Sequence, residues 1–84
     1  MEDFLAMTTR HYTDIPMSSI PGIGVSTLLK LVSNNYTTKS LFQLAHGCDS
    51  PFAFTKALAV KVPGAITIYI SIRMYIEKYS LFTE

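Results

Sequence analysis

Apolar positions along the chain fall into four blocks, separated by clusters of Gly, Pro, Asn and Ser. Val25, Leu28, Leu29, Leu31 and Val32 recur at helical spacing and predict a helix over 25–34. Asn34-Asn35-Tyr36 breaks it, and Thr37 or Thr38 serves as N-cap for a helix over 38–46. Gly47-Cys48-Asp49-Ser50-Pro51 is a loop signal, with Asp49 or Ser50 capping the next helix and Pro51 at its first position. That helix runs from Phe52 to Val60, and Val62-Pro63-Gly64 stops it. At the start of the chain, Phe4, Leu5 and Met7 stand beside Glu2 and Asp3, a pattern for a short helix or an ordered arm. Pro16 limits any helix before it, and Ser18 or Ser19 caps a very short helical turn before Pro21.

The last block, Ala65 to Phe82, carries two periodicities at once. Ile66, Ile68, Ile70, Ile72, Met74 and Ile76 alternate with Thr67, Tyr69, Ser71, Arg73, Tyr75 and Glu77, which is the period of a strand. Read as a helix, Arg73, Glu77, Ser80 and Glu84 form one polar stripe on an otherwise apolar cylinder. The length favours the helix. No second strand candidate exists, and an isolated strand leaves its backbone hydrogen bonds unmade. The expectation is therefore an all-α chain: a compact helical domain, one domain over 1–84, with a helix–hairpin–helix at about 18–34 and a long C-terminal helix. The last block is not read as a membrane span, because Arg73, Glu77 and Lys78 interrupt it.

The hairpin is Ile20-Pro21-Gly22-Ile23-Gly24-Val25-Ser26. Two glycines around one apolar residue make a tight turn, and they leave the backbone uncovered by any Cβ. The N–H groups opening the next helix then point outward without intrahelical partners, a ready site for a phosphate oxygen. In this reading Ile20 plugs the space between helices and Ile23 points inward to pin the turn. An ordinary turn between packed helices has the same residues, so the motif alone does not decide between the two.

Composition narrows the classes. The chain has 84 residues and a formal net charge of +1, with 15% charged and 49% hydrophobic residues. Nucleic-acid binders usually draw most of their affinity from Lys and Arg, so this balance predicts modest DNA affinity. So much apolar surface on so short a chain predicts a buried interface with a second copy. Cys48 is alone, which excludes an intramolecular disulfide. The N-terminus lacks the pattern of a signal peptide, and with a lone cysteine this points to an intracellular location, nuclear or cytoplasmic. His11, His46, Cys48 and Asp49 do not complete a metal-ligand set, and no cofactor is expected. Neither histidine has a nucleophile or carboxylate in its sequence context, so no catalytic site is read and no enzyme is expected. The aromatic residues suit packing better than a stacking platform for single strands.

The order of these pieces resembles the barrier-to-autointegration factor family from Thr9 to Phe82. Arg10-His11-Tyr12-Thr13-Asp14-Ile15-Pro16-Met17 is similar to that family's basic arm ending in Pro-Met, and Ile20-Pro21-Gly22-Ile23-Gly24 with Leu28 to Leu31 resembles its helix–hairpin–helix. Ser40-Leu41-Phe42-Gln43-Leu44, Phe52 through Gly64-Ala65, and Ile72 to Phe82 resemble its later helices. The resemblance implies a homodimer that binds double-stranded DNA without regard to sequence and bridges or compacts duplexes. It implies DNA contacts at Arg10, Gly22, Ile23, Gly24, Val25, Ser26 and Lys30, and phosphorylation near the N-terminus, where Thr8 and Thr9 stand. Other nuclear or nucleoprotein components are implied partners.

The chain departs from the family between Gly64 and Ser71, where it has no Lys or Arg, and in its last helix, which lacks the family's Cys and Trp. For the dimer interface, the apolar C-terminal block nominates Ile68, Ile72, Tyr75 and Tyr79. The alternative function is a protein–protein assembly module of the same fold with little DNA binding. Low net charge favours that alternative, and the intact Pro-Gly-Ile-Gly favours the first.

Overall fold

A computed structural model describes residues 15–79, so Thr8, Thr9, Arg10, His11 and residues 80–84 lie outside it. Among the described residues the fold is all-helical. A single 3₁₀ turn, Met17–Ser19, leads into α1 (Val25–Ser33), α2 (Thr38–His46), α3 (Pro51–Ala57) and α4 (Ala65–Lys78). Helix α4 is the centrepiece and packs against α3 and α2, while α1 lies against the 3₁₀ turn.

Local chemistry accounts for most boundaries. Thr37 caps α2: its hydroxyl accepts from the Ser40 N–H at 3.1 Å, and the Ser40 hydroxyl accepts from the Thr37 N–H at 3.3 Å. Thr38, the other candidate cap, turns inward instead, and its buried hydroxyl donates to the Ile15 carbonyl. Ser50, not Asp49, caps α3 by accepting from the Ala53 N–H at 3.2 Å, with Pro51 at the first turn. Past α1, the Asn34 side chain donates to the Lys30 carbonyl at 2.8 Å, and Asn35 takes φ 64°, a left-handed conformation that Asn tolerates.

Two helices end earlier than their apolar patterns predict. Helix α3 stops at Ala57, three residues before Val60. The Ala59 N–H, which would have continued the helix, is taken by the Tyr36 hydroxyl at 2.9 Å, and Leu58 turns into the core. Helix α4 stops at Lys78 with Tyr79 as its C-cap, short of Phe82.

The ambiguous alternation resolves as a helix. Ile68, Tyr69, Ile72, Tyr75 and Ile76 face the core, while Ile66, Ile70 and Met74 face outward. An alternating apolar run wound at 3.6 residues per turn is shared between two faces of a cylinder. The inward face meets Phe42 and Phe54. The Phe42 and Tyr75 rings stand edge to face at 5.6 Å, and Phe54 meets Tyr69 at 5.5 Å. The Tyr69 hydroxyl donates to the Cys48 carbonyl at 2.8 Å and ties α4 to the α2–α3 loop.

This packing corrects the expected interface. Ile68, Ile72 and Tyr75 are 1%, 0% and 2% exposed, so their side chains fill the chain's own core and present nothing to a second copy. Only Tyr79 of the four nominated residues is exposed. Helix α1 reverses expectation in the opposite sense. Of its five periodic apolar residues, Leu31 is buried and Leu28 half-buried, while Val25, Leu29 and Val32 face solvent.

Candidate phosphate-binding site

The hairpin is built on two buried isoleucines. Ile20 and Ile23 both enter the core, as the plug and the pin of the turn, and the Ile23 N–H donates to the Ile20 carbonyl at 3.1 Å. That bond takes the Ile23 amide out of the set available to an anion, although Ile23 stands between the two glycines. Of the nominated residues, Ile23 thus serves the turn, while Gly24, Val25 and Ser26 lie exposed at the opening of α1.

The two glycines do different work. Gly22 has φ 96°, in the left-handed region, and a Cβ there would meet the Gly64 carbonyl oxygen and Ile68 Cγ1, both at 3.0 Å. Reciprocally, a Cβ on Gly64 would collide with the Gly22 carbonyl. The hairpin therefore crosses the start of α4 backbone against backbone, and only glycine fits on either side. Gly24 has φ −91° and ψ −175°, ordinary extended values, and nothing lies within 4 Å of a Cβ built on it. Gly22 is a packing glycine, and Gly24 is the one that leaves space open.

The Gly22–Gly64 contact stands two residues ahead of the α1 start and at the start of α4. Gly24 is the N-cap of α1 and Gly64 the N-cap of α4, and neither helix has a side-chain hydrogen bond capping its start. Helices α2 and α3 both have one. The two uncapped helices are the two whose starts flank the Gly22–Gly64 contact. Each presents first-turn N–H groups and the positive end of its dipole. In α4 the Ala65 N–H is used by the Val62 carbonyl at 3.2 Å, which leaves those of Ile66 and Thr67 at the helix opening.

Charge along the described residues is more one-sided than the net value suggests. Lys30, Lys39, Lys56, Lys61, Arg73 and Lys78 stand against Asp49 and Glu77, and the other four carboxylates belong to the segments outside 15–79. Lys30, exposed on the last turn of α1, is joined at a shared groove by Lys61, which sequence reading did not single out. Nothing in the local sequence flags Lys61, because only the packing of the 61–63 segment beside α1 brings the two together. Arg10 lies outside the described residues.

Among the described residues no three His, Cys, Asp or Glu side chains gather as metal donors, and Cys48 is buried. No helix there is long and apolar enough to cross a membrane. Compared with known proteins, the chain matches no family model, no curated protein and no solved structure.

Proposed function

We propose that this protein binds the sugar–phosphate backbone of double-stranded DNA without reading its sequence, and that a pair of chains bridges duplexes. The observation that carries the first part is the exposed, uncapped start of α1 at Gly24, with a second uncapped helix start at Gly64 on the other side of the Gly22–Gly64 contact. First-turn amides and a helix dipole favour an anion, and they hold no information about bases. Gly24, Val25 and Ser26 supply the exposed opening, and Lys30 and Arg10 supply cationic contacts.

Bridging requires a second site on the same particle, hence a second copy. With Ile68, Ile72 and Tyr75 committed to the core, the surface for that copy is the outward stripe Ile66, Ile70 and Met74 on α4.

Gly24→Asp tests the phosphate site cleanly. The backbone there is ordinary and the space open, so the variant folds. Asp is also a good N-cap, so α1 is held or stabilised by a few tenths of a kcal/mol relative to Gly. Its carboxylate occupies the position of the phosphate oxygen. The expected result is an unchanged or raised melting temperature with loss of duplex binding in a gel shift. A folded Gly24→Asp variant that binds unrelated duplexes as the wild type does refutes the site.

One observation favours the second reading, a protein–protein assembly module. Val25 and Leu29 are 79% and 62% exposed on the very helix that opens the hairpin. In that case Leu29→Glu abolishes association with a protein partner, while duplexes fail to bind the wild type at low salt.

A further inference from the structure

Beside the hairpin lies a groove of about 370 Å³ lined by Lys30, Thr55, Lys61, Val62 and Pro63. It runs between the last turn of α1, the middle of α3 and the segment that leads into Gly64. Lys30 and Lys61 both line this concavity, and among the described residues neither has a carboxylate partner. Val62 and Pro63 make its lining largely apolar. Like charges facing one hollow repel, and an anion between them relieves both. An apolar wall lowers the local dielectric and strengthens that attraction. The volume falls within the range that holds a small organic group, about 300–1,000 Å³.

The groove is linked to the hairpin through the chain. Pro63 adjoins Gly64, whose backbone touches Gly22, so one wall of the groove is an extension of the hairpin crossing. Lys30 stands six positions after Gly24, or about 9 Å along α1 at about 1.5 Å per residue. Phosphates recur about every 3.4 Å of duplex axis along each strand, so a strand held at the hairpin carries further phosphates across that distance.

We infer that Lys61 and Lys30, which line this groove together, take a second phosphodiester of the strand that the hairpin holds, with the adjoining sugar against Val62 and Pro63. This rests on the backbone-binding reading proposed for the hairpin. Lys61 then adds one phosphate contact to those of Arg10 and Lys30, and the salt slope of duplex binding steepens from about −1.8 to about −2.7 at about −0.9 per contact.

The experiment compares wild type, Lys61→Gln, Lys39→Gln and Gly24→Asp, all as the full chain, in duplex binding across a salt series. Lys39→Gln removes the same charge from α2, away from the groove. The expected result is that Lys61→Gln flattens the slope by about 0.9 and weakens binding about eightfold at 0.1 M salt, the factor that one such contact confers. Lys39→Gln changes neither. If Lys61→Gln behaves as wild type while Gly24→Asp abolishes binding, the groove is not a phosphate site and the hairpin reading stands. Equal losses in Lys61→Gln and Lys39→Gln reduce the effect to diffuse charge and also overturn the inference. If Gly24→Asp binds normally, the hairpin reading falls and takes this one with it. Inorganic phosphate, titrated without DNA and followed by amide shifts, separates the two sources of the anion. Saturable shifts at Lys30 and Lys61 below millimolar phosphate would assign the groove to a small free anion and overturn the duplex assignment.

Discussion

Single residues matter here through the space they leave. Gly22 and Gly64 let two backbones touch, and each excludes a Cβ for a steric reason that a bare Gly-x-Gly pattern does not reveal. Gly22→Ala adds left-handed strain to a tight contact, and Gly64→Ala drives a methyl group into the Gly22 carbonyl. Strained conformations of this kind cost on the order of 1–3 kcal/mol. For a domain of this size each kcal/mol lowers the melting temperature by about 4–8 °C. Thermal unfolding is expected to show a drop of at least that size for both variants, and a smaller one for Gly24→Ala, where the space is open and only the weaker N-cap preference of Ala counts. Equal stability of Gly22→Ala and wild type would show that the two backbones do not cross closely. The same contrast makes Gly24, and not Gly22, the position at which loss of DNA binding can be separated from loss of fold.

At the scale of elements, the capping pattern divides the helices into two pairs. Helices α2 and α3 are closed at their N-termini by Thr37 and Ser50, whose hydroxyls take the first-turn amides of Ser40 and Ala53. Helices α1 and α4 begin at glycines that offer no side chain. Removing a cap from the first pair affects stability alone. Ser50→Ala is expected to cost about 1 kcal/mol in denaturant unfolding and to leave duplex affinity unchanged. A Ser50→Ala variant with native stability and weakened binding would mean that α3, not the hairpin pair, faces the nucleic acid.

For the whole molecule, the two faces of α4 carry opposite predictions. Ile72 is fully buried, so a charge there must be desolvated in the core, and Ile72→Glu is expected to abolish folding. Ile70 is exposed, so Ile70→Glu leaves the fold intact. If the outward stripe receives a second copy, burying about 800 Å² per subunit, light scattering at tens of micromolar shows a dimer for the wild type and a monomer for Ile70→Glu. The folded monomer then binds one duplex but does not join two. A wild-type chain that is monomeric under those conditions defeats bridging and leaves backbone binding untouched.

The sequence by itself was enough to determine the helical class, the positions of the four helices to within a few residues, and a tight turn at 20–24 anchored by two buried isoleucines. Those features depend on local causes: turn glycines, prolines, capping hydroxyls and the period of apolar positions. The ends of α3 and α4 were not legible, because the hydroxyl that stops α3 comes from Tyr36, far away in the chain. Nor was the orientation of the apolar faces. Alternating isoleucines on α4 and the leucine–valine pattern on α1 state that something apolar is buried, without stating which side. Only the packing of α4 onto Phe42 and Phe54 committed Ile68, Ile72 and Tyr75 to the core and left Ile66, Ile70 and Met74 outside. The candidate site divides the same way. Gly24 and Lys30 are readable from the hairpin motif and the helix that it opens. The contact between Gly22 and Gly64 and the groove shared by Lys30 and Lys61 join residues more than thirty positions apart in the chain. Local sequence has no means to express such distances; tertiary packing decides them, because only the folded chain brings those backbones and charges within reach.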